Sequence, residues 1–155
     1  MSADHAVDTV GLALARAVTG DHVGGGMLLV PLIEAGRKSC YALAGMLAET
    51  ASHIARQEQA PGAFGIRVDN TVTGRPASVD VLPPDVRFAS QFVTAWANRD
   101  QATAWPLFKA LADQAEATGG PELVDGILQL FAMAVTTAKA VLAEERARRN
   151  PTPED

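Results

Sequence analysis

The sequence predicts an all-α fold: a single-domain bundle of about five helices, with a small β-hairpin or extended arm inserted near residues 63 to 82. Three observations predict it. Apolar residues recur at helical spacing over most of the chain. Alanine is abundant and aromatic residues make up only 5% of the sequence, which suits closely packed helices better than a sandwich or barrel. Only IRVDNTVTGRPASVDV, residues 66 to 81, alternates apolar with polar residues in the manner of short strands. At 155 residues one core is expected, burying roughly 70% of the surface an unfolded chain would expose. The helical domain is assigned to residues 1 to 149, and the tail NPTPED, residues 150 to 155, to disorder.

Helix one is expected over residues 3 to 19, because Val7, Val10, Leu14, Ala17 and Val18 form a stripe, Ser2 or Asp4 can cap its start and Gly20 can stop it. The following TGDHVGGGM reads as a connection, since three consecutive glycines weaken any regular element. Pro31 is comfortable only in a first turn, so helix two is expected to start near residue 30 and to run to about Gln57. Gly36, Cys40, Leu43, Leu47, Ala51 and Ile54 form one stripe of it, while Tyr41, Ala42, Ala44, Gly45, Met46 and Ala48 make most of the remaining circumference apolar. Such a helix is either central in a bundle or covered by a partner chain.

Ile66, Val68 and Val72, then Val79 and Val81, alternate around the Thr-Gly-Arg-Pro turn as a two-stranded hairpin, which must rest on another apolar surface to be stable. Pro83 and Pro84 end it. Asp85 then caps helix three, whose stripe is Phe88, Phe92, Val93 and Trp96. Helix four is expected to begin with Thr103 as N-cap, Asp100 being the competitor, which puts Pro106 in its first turn. Gly119, Gly120 and Pro121 give a glycine stop followed by a proline start. Helix five follows with Leu123, Ile127, Leu130, Phe131, Ala134, Ala138, Val141 and Leu142 on one face.

Charge and cysteine usage narrow the function classes. The formal net charge of -5 repels a phosphate backbone, and the one basic cluster, Arg146, Arg148 and Arg149, complements a helix dipole; nucleic acid is not an expected partner. Cys40 is the only cysteine, lies in an apolar run and cannot form an internal disulfide, which suits a reducing cytoplasm. Asp4, His5 and Asp8 stand where a signal peptide needs a basic start, and no uninterrupted run of about 18 apolar residues occurs, so neither export nor a membrane span is expected.

No motif names a reaction or a ligand. The glycine triplet lacks the Gly-Lys-Ser/Thr ending and the preceding strand of a phosphate loop. Glu49 and His53, four apart, share a helix face, but two ligands do not make a metal site and no second copy exists, so no metal and no cofactor are expected. Cys40 in an apolar setting has a raised pKa and is a poor nucleophile. If the protein is an enzyme, His22, Glu49 and His53 are the first residues to test, and Trp96 and Trp105 are candidates to line a ligand cleft with Phe92 and Phe108. The preferred expectation is a small intracellular interaction or regulatory protein acting as a homodimer, with Tyr41, Ala44, Gly45, Met46 and Ala48 at the interface and the hairpin helping to cover it. The alternative is a bundle that binds, or acts on, a small apolar molecule.

Overall fold

The structure, a computed structural model, describes residues 2–59, 62 and 64–151. Among these residues the chain forms seven α-helices: α1 Ala3–Val18, α2 His22–Glu34, α3 Arg37–Ala51, α4 His53–Glu58, α5 Pro84–Ala97, α6 Gln101–Thr118 and α7 Glu122–Arg149. Two short antiparallel strands, β1 Val68–Asp69 and β2 Pro76–Ala77, form the one hairpin described. The fold is all-α with an inserted hairpin, as the sequence predicts. Residues 1, 60, 61, 63 and 152–155 lie outside the described residues, and with them one edge of the expected hairpin region and most of the expected disordered tail.

The extra helices come from the first third of the chain, where local reading goes wrong. The glycine triplet is helical. Asp21 caps α2, its carboxylate accepting from the Gly24 amide at 2.8 Å, and this early start leaves Pro31 inside α2 rather than at a helix start. Gly20, at φ 104°, closes α1 in a left-handed turn in which the Asp21 amide donates to the Arg16 carbonyl and the Gly20 amide to the Ala17 carbonyl. The chain can then reverse so tightly that α2 lies along α1. Gly25 sits at the crossing: a Cβ there would stand 2.5 Å from the Ala13 carbonyl oxygen and 3.1 Å from the Phe131 ring. Gly36, at φ 112°, separates α2 from α3, so it is a helix break and not, as expected, part of a helix-two stripe.

This crossing yields a sign test. Gly11 lies in the exposed middle of α1 with nothing within 4 Å of a Cβ, so Gly11→Ala should stabilise by about 0.5–1 kcal/mol through helix propensity alone. Gly25→Ala gains the same propensity but forces two backbones apart, at a typical overpacking cost of about 1–3 kcal/mol. Urea unfolding should therefore rank Gly11→Ala above and Gly25→Ala below the wild type. Equal gains in both would show that α1 and α2 do not pack at Gly25.

The core is one contiguous cluster. Ile127, Leu130, Phe131, Ala134 and Val135 of α7 meet Leu43, Ala44, Leu47 and Ala48 of α3, Phe88 and Phe92 of α5, Phe108 of α6 and Ala13 and Ala17 of α1. α7 packs against every other α-helix and is the axis of the bundle. By length and composition alone it would pass for a membrane span, with a mean hydropathy of 1.6 over its most apolar window; here its apolar stripe fills the core. Arg37, at the start of α3, ties that helix to α6 by pairing with Asp113 at 2.7 Å and Glu116 at 2.6 Å, while Lys109 also reaches Asp113. Hydrogen bonds from Lys109 and Arg37 hold the Asp113 carboxyl below its ordinary value. What stability this gives is present above the unfolded carboxylate pKa and lost as pH falls through the lowered one; being exposed to solvent, it is small.

Two smaller expectations are corrected. Asp100, not Thr103, caps α6, its carboxylate accepting from both the amide and the hydroxyl of Thr103, which moves Pro106 past the first turn. The hairpin is shorter than the apolar alternation implies, pairing only Val68 with Ala77 and Asp69 with Pro76, while Val79–Val81 turns into a 3-10 helix. Its loop is held by the Asn70 side chain, which accepts from the Val72 and Thr73 amides. Val72 and Val81 remain 92% and 67% exposed and are not seated on the bundle. The segment before it is anchored by Asn98, whose side chain bonds both the amide and the carbonyl of Phe64.

Candidate functional site

α7 outruns its neighbours. It has 28 residues against 16 in α1 and 15 in α3, so at about 1.5 Å per residue it extends some 20 Å beyond either length. Its apolar stripe does not stop where the bundle does. Ile127, Leu130, Phe131 and Ala134 are buried, Ala138 and Val141 on the same face are half-covered, and Leu142 is 36% exposed. These last residues face the end of α1 and the α3–α4 junction across a groove of about 600 Å³, whose walls include Leu14 and Val18 of α1, Thr50 and His53, and Thr137, Ala138, Val141 and Leu142 of α7. A second depression of about 300 Å³, lined by Val7, Val10 and Met46, continues it along α1 by sharing Leu14, Glu49 and Thr50. The larger volume is in the range of small-molecule sites, which are mostly apolar with a few polar groups.

The floor is fixed by hydrogen bonds at the α3–α4 junction. Ser52 is buried and its hydroxyl donates to the Ala48 carbonyl at 2.8 Å. Thr137 donates across to the Ala51 carbonyl at 2.9 Å, satisfying an orphan at the end of α3 from the opposite wall. No buried side-chain nitrogen or oxygen among the described residues lacks a partner.

Three charged or titratable side chains border the groove: Glu49, His53 and Arg146. Glu49 is heavily engaged. Its carboxylate accepts from the Trp96 indole at 2.8 Å, pairs with both terminal nitrogens of Arg99 at 3.1 and 3.3 Å, and bonds Arg56. Arg99 reaches it from an unusual position, because it occupies the left-handed residue that closes α5, at φ 57°, where glycine is the usual choice. His53 is exposed, and its Nε2 lies 3.2 Å from the Gln57 side-chain nitrogen. Arg146 forms no ion pair among the described residues; the eight salt bridges there involve other side chains.

The residues singled out from sequence are only partly brought together. Glu49 and His53 both border the groove, and the Glu49 carboxylate is engaged with Trp96 and the arginines. Among the described residues no three His, Cys, Asp or Glu side chains are grouped as metal ligands, and no serine, threonine or cysteine side chain hydrogen-bonds to a histidine ring. His22 is exposed at the first position of α2 and does not line the groove. Trp96 and Trp105 do not border this groove; both pack on Tyr41, at 6.3 and 4.9 Å between ring centroids, and Tyr41 also meets Phe92 and Phe108. The Tyr41 hydroxyl donates to Gln101 at 2.7 Å, and burial raises its pKa. Cys40 is fully buried, and desolvation pushes its thiol up to about 11, an inert setting for a nucleophile.

Burial does not favour the interface expected at Tyr41, Ala44, Gly45, Met46 and Ala48. Ala44, Gly45 and Ala48 are enclosed by the chain's own helices, and a Cβ on Gly45 would lie 2.6 Å from the Trp96 ring. Of the two readings of an all-round apolar helix, α3 is the central one. Tyr41 is occupied by the aromatic cluster, and Met46 faces the smaller depression. What sequence reasoning missed is the groove wall: Leu14, Val18, Thr137, Ala138, Val141, Leu142 and Arg146. The signal was present in the α7 stripe, which continues through Leu142 directly into the charged run EERARR.

No protein-family model matches the sequence, and the searches of curated proteins and of solved structures return no match.

Proposed function

We propose that the protein is a binding module whose groove between α1, the α3–α4 junction and α7 takes an elongated apolar small molecule, without catalysis. The observation that carries this reading is the continuation of the α7 stripe beyond the cover of its neighbours, with Ala138, Val141 and Leu142 forming one wall of a groove of about 600 Å³. Desolvating those side chains contributes about 25 cal/mol per Å² of apolar surface removed from water, and an apolar ligand does so without leaving polar groups unpaired. A hydrolytic or metal-assisted reading has no comparable support: His53, the histidine that lines the groove, lies against the Gln57 side chain, and no group of three metal-ligating side chains occurs among the described residues. The homodimer expected through helix two is not carried into this reading, since three of its five residues belong to the core.

The test uses a neutral apolar dye, N-phenylnaphthylamine, whose emission rises on leaving water. Saturable binding at one site per chain is the expected result. Ala138→Trp fills the groove from a half-exposed position and should reduce dye affinity by at least about tenfold, the effect of losing roughly 1.4 kcal/mol of contact, while leaving the unfolding midpoint close to wild type. Undiminished binding in a folded Ala138→Trp variant would remove the groove as the site.

A further inference from the structure

Resting on the groove as the binding site, we infer that its ligand is an amphipathic acid: an alkyl body along α7 and a single acidic head at Arg146. The argument is one of charge and spacing. The groove wall carries two full charges of opposite sign, and they are not equivalent. Glu49 is matched by Arg99, Arg56 and the Trp96 indole, so its capacity to bind a cationic ligand is largely used within the chain. Arg146 has no ion-pair partner among the described residues. Its guanidinium offers a planar fork of donors suited to a carboxylate.

The order of residues along α7 gives the ligand a direction. Ala138, Leu142 and Arg146 are spaced by four and therefore follow one another on a single face. From Ala138 to Arg146 is about 12 Å of helix, enough for a medium-length alkyl chain followed by its head. Leu14 and Val18 of α1 supply the opposite apolar wall. The ends of α1 and α3 bring partial negative charge near the groove, but it is tempered from inside the chain: Thr19 donates its hydroxyl to the Arg16 carbonyl and Thr137 to that of Ala51. A full cation at the mouth outweighs what remains.

The experiment compares decanoate with decanol, which share a body and differ in the head, by displacement of N-phenylnaphthylamine. Wild type should prefer decanoate by at least about tenfold, the low end for a charge-assisted hydrogen bond. Arg146→Met, which keeps much of the side chain's shape, should abolish that preference while retaining decanol binding. Arg149→Met, an equal change of charge outside the groove, should leave the preference intact. If decanol and decanoate compete equally in all three proteins, the acid head is wrong and the groove reading stands. If neither displaces the dye and Ala138→Trp does not affect it, the groove itself is wrong. The same head chemistry occurs in free acids and in anionic membrane lipids. Cosedimentation with phosphatidylglycerol vesicles that decanoate abolishes and Arg146→Met weakens supports the acid head with a lipid as its source. Decanoate preference without cosedimentation supports it with a free acid as the source. Cosedimentation indifferent to both decanoate and Arg146→Met overturns it.

Discussion

Ala48→Arg should unfold the protein rather than split an assembly. Ala48 is fully buried on α3, which packs against α1, α5 and α7. An arginine there has to place its guanidinium among Leu, Phe and Ala side chains with no carboxylate at hand, or else push a neighbouring helix away. An unpaired buried charge and overpacking are two of the few routes to losses above about 4 kcal/mol, a large share of the roughly 5–15 kcal/mol that holds a domain of this size. Ala42→Arg provides the contrast on the same helix: Ala42 is exposed, so that change should stay within about 0.5 kcal/mol of wild type. Urea titration of both variants by circular dichroism reads the difference. A folded Ala48→Arg variant with wild-type stability and altered light scattering would restore α3 as an interface helix and refute its central position.

The contrast between Ala42 and Ala48 also shows where the sequence is readable and where it stops. Some helix ends were legible, since Ser2 accepts from the His5 amide at the start of α1 and Gly119, left-handed at φ 65°, ends α6 before Pro121, but others were not: Pro83 and not Asp85 stands before α5, where Asp85 lies in the first turn, and the caps of α2 and α6 are Asp21 and Asp100. The core stripe of α7 was legible because periodicity is a local property. The glycine triplet was not, because Gly25 is required by the Ala13 backbone of another helix and nothing in its own neighbourhood says so. The apolar circumference of α3 had two readings of equal local merit, and only the placement of α5 and α7 on either side selects one. The groove was hidden more deeply. Ala138, Val141 and Leu142 obey the same period as Leu130 and Phe131, and what makes them a wall rather than a core is the point at which α1 and α3 end. Trp96 was placed correctly on an apolar stripe, yet its packing together with Trp105 on Tyr41, from a third helix, is a tertiary fact.

Phe92→Ala should be the most damaging truncation in that aromatic cluster, at about 3–5 kcal/mol from lost transfer energy and the cavity left behind. Phe92 is fully buried and is a hub: its ring stacks on Trp96 at 5.8 Å, tilts against Phe88 at 5.4 Å and receives Tyr41 edge-on at 6.1 Å. The cavity would open beside Trp96, whose six-membered ring edge meets Gly45, so the indole has room to shift away from Glu49. Two readouts should therefore move together. The urea midpoint falls, with an unchanged slope if the loss is native-state packing alone, and Trp96 emission, isolated in a Trp105→Phe background, changes as the indole loses its bond to Glu49. Trp105→Ala is the comparison, because Trp105 is 42% exposed at the edge of the same cluster and should cost well under half as much, its burial being partial. Should Phe92→Ala cost less than about 1 kcal/mol, the ring is not enclosed between α3, α5 and α6. The bridge from the aromatic core through Trp96 to Glu49 at the groove would then lose its support.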